Sequence, residues 1–345
     1  MEDEELEGKN YLVLFYKTTE EIGIKILGYN FVKENQDKYH IIIEGKKRKG
    51  GSPYIDIYDY QREKGEAKII LIEDETIRDM SYMFDECDLL KMISPESKWD
   101  CKHVYNIQRM FFDCASLNYI CPTFAFTSLG QINLSCLFYG CKSLESLYIF
   151  EKWNTKDVTD FSNFLHNCSS LKKLPSLPDL VSSNAIDISD MFNGCTSLKS
   201  LPDMRKWDVS NVTKMERMFS NCQSLVIPPE IKDWNTKSLT SMKGMFNNCF
   251  SLRNIPDISK WDTSKVTDMS FMFKDCRIIT DIPDISNWDV SNVENMYKIF
   301  ENCSSLENFP NISKWKLKKN LLKEDAFKGC KKKIIPKKFK DCLIF

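Results

Sequence analysis

Along Val266–Cys276 the apolar side chains Met269, Met272, Phe273 and Cys276 fall at i, i+3, i+4 and i+7, with polar or small residues between them. That spacing marks one face of a helix. It predicts two to three helical turns ending near Cys276. Thr267 is placed to cap the start, as are Thr159, Thr213 and Thr240 in equivalent stretches, with Ser264 a rival cap. The residue before the cysteine is Gly140, Asn167, Gly194, Asn221, Asn248, Asn302 or Gly329 in seven copies. Glycine and asparagine accept the left-handed conformation in which helices end. Downstream, Leu252 and Ile255 point inward from Ser251–Ile258, which is too short for a helix and contains Pro256. This stretch reads as an extended segment, closed by a turn around Trp261-Asp262.

The same pattern returns on a fixed frame. Cys87, Cys114, Cys141, Cys168, Cys195, Cys222, Cys249, Cys276, Cys303 and Cys330 are each 27 residues apart. All seven tryptophans, from Trp99 to Trp315, lie twelve residues after a cysteine of that series, and Phe126 and Leu180 take the two remaining slots. Leucine recurs three after the cysteine from Leu90 to Leu306, with Ile279 once, and proline seven after it from Pro175 to Pro310. Ten copies of a 27-residue unit describe a solenoid.

A single unit does not fold alone. A two-turn helix is marginal in water. Some six apolar side chains, at ~1.5–3 kcal/mol each, fall short of ordering 27 residues at ~1.5 kcal/mol per residue. Stacking is what buries the faces. Extended segments stack at ~4.8 Å and helices at ~8–10 Å. The expected fold is therefore an α/β solenoid of helix-plus-extended-segment units, curved, with the extended segments on the concave side.

The segments Trp207-Asp208-Val209-Ser210-Asn211-Val212-Thr213 through Leu225, and Trp261 through Cys276, carry a specific motif. It resembles the BspA-type leucine-rich repeats of bacterial and mycoplasmal surface proteins and of many unicellular eukaryotes. Tryptophan, Val-Thr, Met-x-x-Met-Phe, cysteine and Ser-Leu match in register over residues ~77–330, and the copies in 115–190 drift, losing the tryptophan twice. The resemblance implies a right-handed leucine-rich-repeat stack used for adhesion or protein–protein interaction, not an enzyme.

Residues 1–75 lie outside the repeat. Tyr11–Tyr16, Ile22–Leu27, Tyr39–Ile43, Tyr54–Tyr58 and Lys68–Ile72 read as four or five strands. They predict a small β domain capping the first unit of a solenoid that spans 76–330. Between two of these strands, Lys46-Lys47-Arg48-Lys49-Gly50-Gly51 resembles a nuclear-localisation run. Its plainer reading is a solvated hairpin turn.

The remaining stretch, 331–345, is a basic tail or a degenerate last repeat. It ends Cys342-Leu343-Ile344-Phe345, which fits a prenylation motif, with six lysines upstream. A prenyl chain plus a polybasic patch supplies the two signals that stable membrane attachment needs. Cys342 also falls twelve after Cys330, in the tryptophan slot, where it would simply fill the core.

Net charge is −1, which does not point to nucleic acid, and apolar content of 42% with 28% charged suits a folded chain. The acidic start, Met1-Glu2-Asp3-Glu4-Glu5, carries no apolar leader, so the expected location is cytoplasmic or on the cytoplasmic face of a membrane, with the cell surface the alternative. Identical positions in a stack point in parallel, so the cysteines are expected as buried free thiols rather than disulfides or a zinc site. Neither metal nor cofactor is called for. His40, His103 and His166 sit in unrelated contexts and no catalytic motif is present.

Asp203, Glu230, Asp257 and Asp284 each follow a proline in successive units. They read as a stacked acidic row for a basic partner or as turn caps. The expectation is a monomeric, non-catalytic scaffold that binds a protein partner through its concave face and loops. The alternatives are a cell-surface adhesin and, behind it, a cryptic enzyme in the N-terminal β domain.

Overall fold

A computed structural model describes residues 5–18, 23–56, 65–122, 126, 132–147, 153–175, 177 and 180–342. The chain begins with strands β1 (Tyr11–Lys17), β2 (Gly23–Lys25), β3 (Tyr39–Ile43), β4 (Lys46–Lys49), β5 (Tyr54–Asp56) and β6 (Glu66–Glu73), with a helix at Tyr29–Asn35 between β2 and β3. That helix was not legible in the sequence. Two further strands, β7 (Leu90–Ile93) and β8 (Tyr119–Ile120), belong to the first and second repeats.

All but β2 and β5 join one sheet in the order β4-β3-β6-β1-β7-β8. β1 pairs antiparallel with β6 on one side and with β7 on the other, Leu14 facing Ile93 and Phe15 facing Met92. The N-terminal sheet thus grows directly into the repeat stack. One hydrophobic core runs from Leu12 in β1 to Phe339 near the chain's end.

The basic run is not a turn. Lys46–Lys49 is β4 itself, paired with β3 and closing the sheet as an edge strand. The turn is Glu44-Gly45, both left-handed at φ 47° and 71°. Lysines on an edge strand oppose edge-to-edge aggregation, which accounts for a charge run at this place.

The repeats stack in parallel. Asp160, Asp187, Lys214, Ser241, Asp268, Asn295 and Leu322 bridge one to the next at a step of 27. The predicted helices, however, are absent from the described repeats. In their place the chain alternates between two bonding directions. Met269, Phe271, Phe273 and Asp275 donate their N–H groups to Asn295, Tyr297, Ile299 and Glu301 of the next repeat, at 2.8–2.9 Å. Between them, Met272, Lys274 and Cys276 donate back three residues, to Met269, Phe271 and Phe273, closing turns.

Two residues per repeat are left-handed, such as Phe271 (φ 58°) and Asp275 (φ 60°), and the pair recurs in all ten copies, from Tyr82 and Glu86 to Asp325 and Gly329. A left-handed residue every few positions rules out an α-helix. A helix would also spend every N–H inside its own unit and leave none to join neighbours.

The inward spacing follows a different rule from the helical one. Met269, Met272, Cys276, Ile279, Ile282, Ile285 and Trp288 are all buried. Beyond Cys276 this is a strict three-residue period, carried through the segment expected to be extended. That segment forms strands only as β7 and β8; elsewhere among the described residues the bridges lie eight before the cysteine. Nor does threonine cap a helix: Thr267, Thr240 and Thr213 Oγ1 donate across to the carbonyls of Thr240, Thr213 and Ile186. The side-chain cap is Asp268, whose Oδ1 accepts from Ser270 N at 2.8 Å. Without helices, the spacing mismatch that predicted a bend and a concave face has no basis.

Three ladders fill the interior. Each cysteine of the 27-residue series from Cys114 to Cys330 donates its Sγ–H to a carbonyl 30 residues back, as Cys276 does to Phe246 at 3.2 Å. Tryptophan repeats the step: Trp234 Nε1 donates to Met204 O at 3.0 Å and Trp261 to Ile231 O at 3.1 Å. Phe219, Phe246, Phe273, Phe300 and Phe327 stack at centroid spacings of 5.2–5.9 Å. Short 3-10 turns at Lys332–Ile334 and Lys337–Cys342 follow, and Phe339 packs edge-on over Phe327 at 5.2 Å.

Candidate functional site

With the cysteines, tryptophans and Met-Phe pairs turned inward, the chemistry available to a partner lies in the exposed columns and at the two ends. Among the described residues, no group of three or more His, Cys, Asp or Glu is placed to hold a metal, and no helix is long and apolar enough to cross a membrane.

The four acidic candidates come together in register. Asp203, Asp257 and Asp284 each turn an Oδ1 onto the N–H two residues on, at Arg205, Ser259 and Ser286, with distances of 3.0–3.1 Å. They are turn caps. Asp203 is also clamped by the Arg205 guanidinium at 2.6 Å, and Asp257 by Lys232 Nζ at 2.8 Å. Those cations hold both carboxyls down to about 2. Asp284 is lowered by Ser286. Glu230 is exposed and adds to the negative field at Arg205 and Lys232. Two of the four thus carry their own counter-charge, which weakens the row as bait for a basic partner.

A second column went unread in the sequence, at two and five residues before each cysteine. Arg109 bonds Asp85 at 3.1 Å and lies 3.7 Å over the Phe112 ring. Phe112, Tyr139 and His166 then stack at 4.7 and 4.6 Å. Asp190 follows, held in a two-point bond by Arg217 at 2.9 and 2.7 Å. Further along, Lys274 and Lys298 share Glu301 at 2.7 and 3.1 Å. Burial pushes the His166 imidazole down, favouring its neutral form. Writing the repeats beneath one another and reading this column down would have revealed it.

In the N-terminal sheet, His40 Nδ1 lies 2.8 Å from both Asp74 oxygens, and the ring is only 2% exposed. A carboxylate orients the imidazole, but substrate has no access to it.

Recesses open on the surface among the described residues. A polar one of about 530 Å³ is lined by Lys17, Ser116, Asn118, Ser143, Glu145 and Ser170. A mostly apolar one of about 360 Å³ lies where the last repeats meet the terminal turns, between Phe309, Pro310 and Ile312 on one wall and Ile334 and Pro336 on the other. Cys342 ends the last 3-10 turn, and Leu343-Ile344-Phe345 fall outside the described residues.

A family model described as "Mycoplasma protein of unknown function, DUF285" matches residues 60–146, 132–253 and 226–337. The chain belongs to this family. Three overlapping placements of one model along the DUF285 chain are what a tandem array produces. No curated protein matches it.

Among solved structures, the DUF285 chain is similar to a leucine rich cell surface protein of Faecalibacterium prausnitzii, at 18% identity over 67% of this chain and 75% of that one, TM-score 0.30. It is also similar to a leucine rich repeat protein of T. pallidum, at 17% identity over 56% and 78%, TM-score 0.26. A leucine-rich repeat protein of Bacteroides ovatus aligns at 19% identity over 69% and 84%, TM-score 0.19.

Proposed function

We propose that this DUF285 chain is a non-catalytic interaction module that binds a protein partner through its variable, part-exposed columns. One observation carries the reading: a constant interior column beside a variable, part-exposed one. Three before the cysteine, nine of ten copies hold phenylalanine, from Phe84 to Phe327, with Leu165 the exception. One residue further on, at two before it, most side chains are half-buried, with Asn193, Ser220 and Glu301 buried and Lys328 exposed, and the copies hold Asp85, Phe112, Tyr139, His166, Asn193, Ser220, Asn247, Lys274, Glu301 and Lys328. A rigid stack that presents a different side chain at each step suits recognition of an extended partner surface.

The BspA-type repeat motif favours adhesion at a cell surface, whereas the buried free thiols from Cys87 to Cys303 favour a reducing compartment. Labelling of intact cells with a membrane-impermeant reagent separates the two. Prenylation at Cys342 belongs to the cytoplasmic reading, and loss of membrane fractionation in Cys342→Ser tests it. The interaction reading predicts that the full chain captures a discrete partner and that Tyr139→Ala with Lys274→Ala weakens capture while leaving the fold intact. Capture unchanged by substitutions in this column would overturn it.

A further inference from the structure

The whole chain carries a net charge of −1, yet residues 311–345 hold twelve lysines against Glu324, Asp325 and Asp341, a net of +9. The structure divides these lysines by task. Lys318 pairs with Glu294, Lys328 with Asp325 and Lys331 with Glu307. Lys338 donates to the Ser313 carbonyl, and Lys323 to that of Lys338. Lys333, Lys337 and Lys340 stay exposed on the terminal turns. Beside them opens the cleft of about 360 Å³, walled by Phe309, Pro310, Ile312, Ile334 and Pro336, with Lys337 among its lining residues. That volume falls within the ~300–1,000 Å³ of small-molecule sites.

Apolar walls under a cationic lip fit an amphiphile with an anionic head. We propose that this end of the stack docks on an anionic phospholipid surface, one acyl chain entering the cleft and the head-group phosphate meeting Lys337, with Lys333 and Lys340 adding attraction. Duplex nucleic acid would use the lysines but leave the apolar walls wet. Binding of this kind needs no covalent lipid, so it stands apart from modification at Cys342 and from any protein partner.

The test uses the full, unmodified chain. Co-sedimentation is measured with vesicles of equimolar phosphatidylcholine and phosphatidylglycerol, and with phosphatidylcholine alone. Binding to the anionic vesicles only is expected. Reversing three charges in Lys333→Glu/Lys337→Glu/Lys340→Glu should cut the partition by about a hundredfold or more, with the thermal midpoint unchanged. Vesicles carrying a photoreactive acyl chain should cross-link the wild-type chain within 309–313 and 334–338. Equal binding to neutral vesicles, no binding, an unaltered triple variant, cross-links elsewhere, or tighter capture of duplex DNA than of vesicles would each overturn the proposal.

Discussion

The thiol of Cys276 donates to the carbonyl oxygen of Phe246 at 3.2 Å, and that same carbonyl accepts the backbone N–H of Cys249. One oxygen therefore closes a turn within its repeat and fastens the next repeat to it. This explains why the ladder is cysteine and not alanine. Cys276→Ala keeps the turn bond, loses the cross-repeat one and opens a small void. It should cost about 1–2 kcal/mol, read as a lower urea midpoint at unchanged slope. Burial pushes the Cys276 thiol up to about 12. Alkylation of the native chain at about pH 8 should therefore reach the part-exposed Cys136 well before Cys276. Equal labelling rates would contradict the buried ladder.

Gly194 tests the left-handed frame. Its φ is +77°, and a Cβ there would lie 2.2 Å from Asn167 Oδ1, the side chain at the equivalent place one repeat earlier. Gly194→Ala should cost about 1–2 kcal/mol for the backbone alone, plus whatever moving Asn167 adds. Had this residue merely ended a helix, the neighbouring repeat would be indifferent. A variant in which amide exchange around Asn167 is unchanged would argue against the coupling.

These two positions also show how far the sequence could be read. The 27-residue frame and the inward residues were plain, because burial in a stack selects the same side chain at every step. The backbone was not. Met269, Met272, Phe273 and Cys276 fall at i, i+3, i+4 and i+7, which satisfies a helical face, and a window of eight residues holds nothing to separate a helix from a run of turns. The deciding signal was Ile279, Ile282, Ile285 and Trp288, which keep the three-residue step where a helix had been excluded. Phe271 at φ 58° concealed the second left-handed position, because a bulky residue there gives no hint of it. Among the site residues, the register of Asp203, Asp257 and Asp284 was legible. Their clamping by Arg205 and Lys232 was not, because Lys232 reaches Asp257 across a repeat boundary.

Asp257 makes that clamp measurable. Lys232 and Ser259 hold its carboxyl at about 2, below the ~3.9 of an unfolded aspartate. A carboxyl depressed on folding adds stability above the unfolded value, and that contribution is lost as pH falls from about 4 toward 2. Its side chain is 41% exposed, so water and salt screen the pair and its worth stays below about 1 kcal/mol. Asp257→Asn should show that small deficit at neutral pH and converge on the parent near pH 2. A deficit that persists in acid would place the effect in the turn cap instead of the ion pair.

Beside the β1–β7 pairing, one close backbone approach tightens the junction between the N-terminal sheet and the first repeat. Gly28 N donates to Met83 O at 2.8 Å. A Cβ on Gly28 would lie 1.8 Å from the Tyr82 carbonyl oxygen, and the obstacle is backbone, which cannot rotate aside. Gly28→Ala must push the two segments apart and break the bond, at a cost of about 3 kcal/mol or more. The damage should be local first. Amide exchange should quicken in β1 and β7, where Tyr16 faces Leu90, before it does in the repeats around Phe273, because a stacked array loosens from its ends. Gly23→Ala is the control, since its Cβ would meet only the Ile55 carbonyl at 3.7 Å. If the two variants melt together, Gly28 is not the seam, and the β1–β7 pairing with its flanking bonds at Tyr11 and Lys17 holds the sheet to the stack.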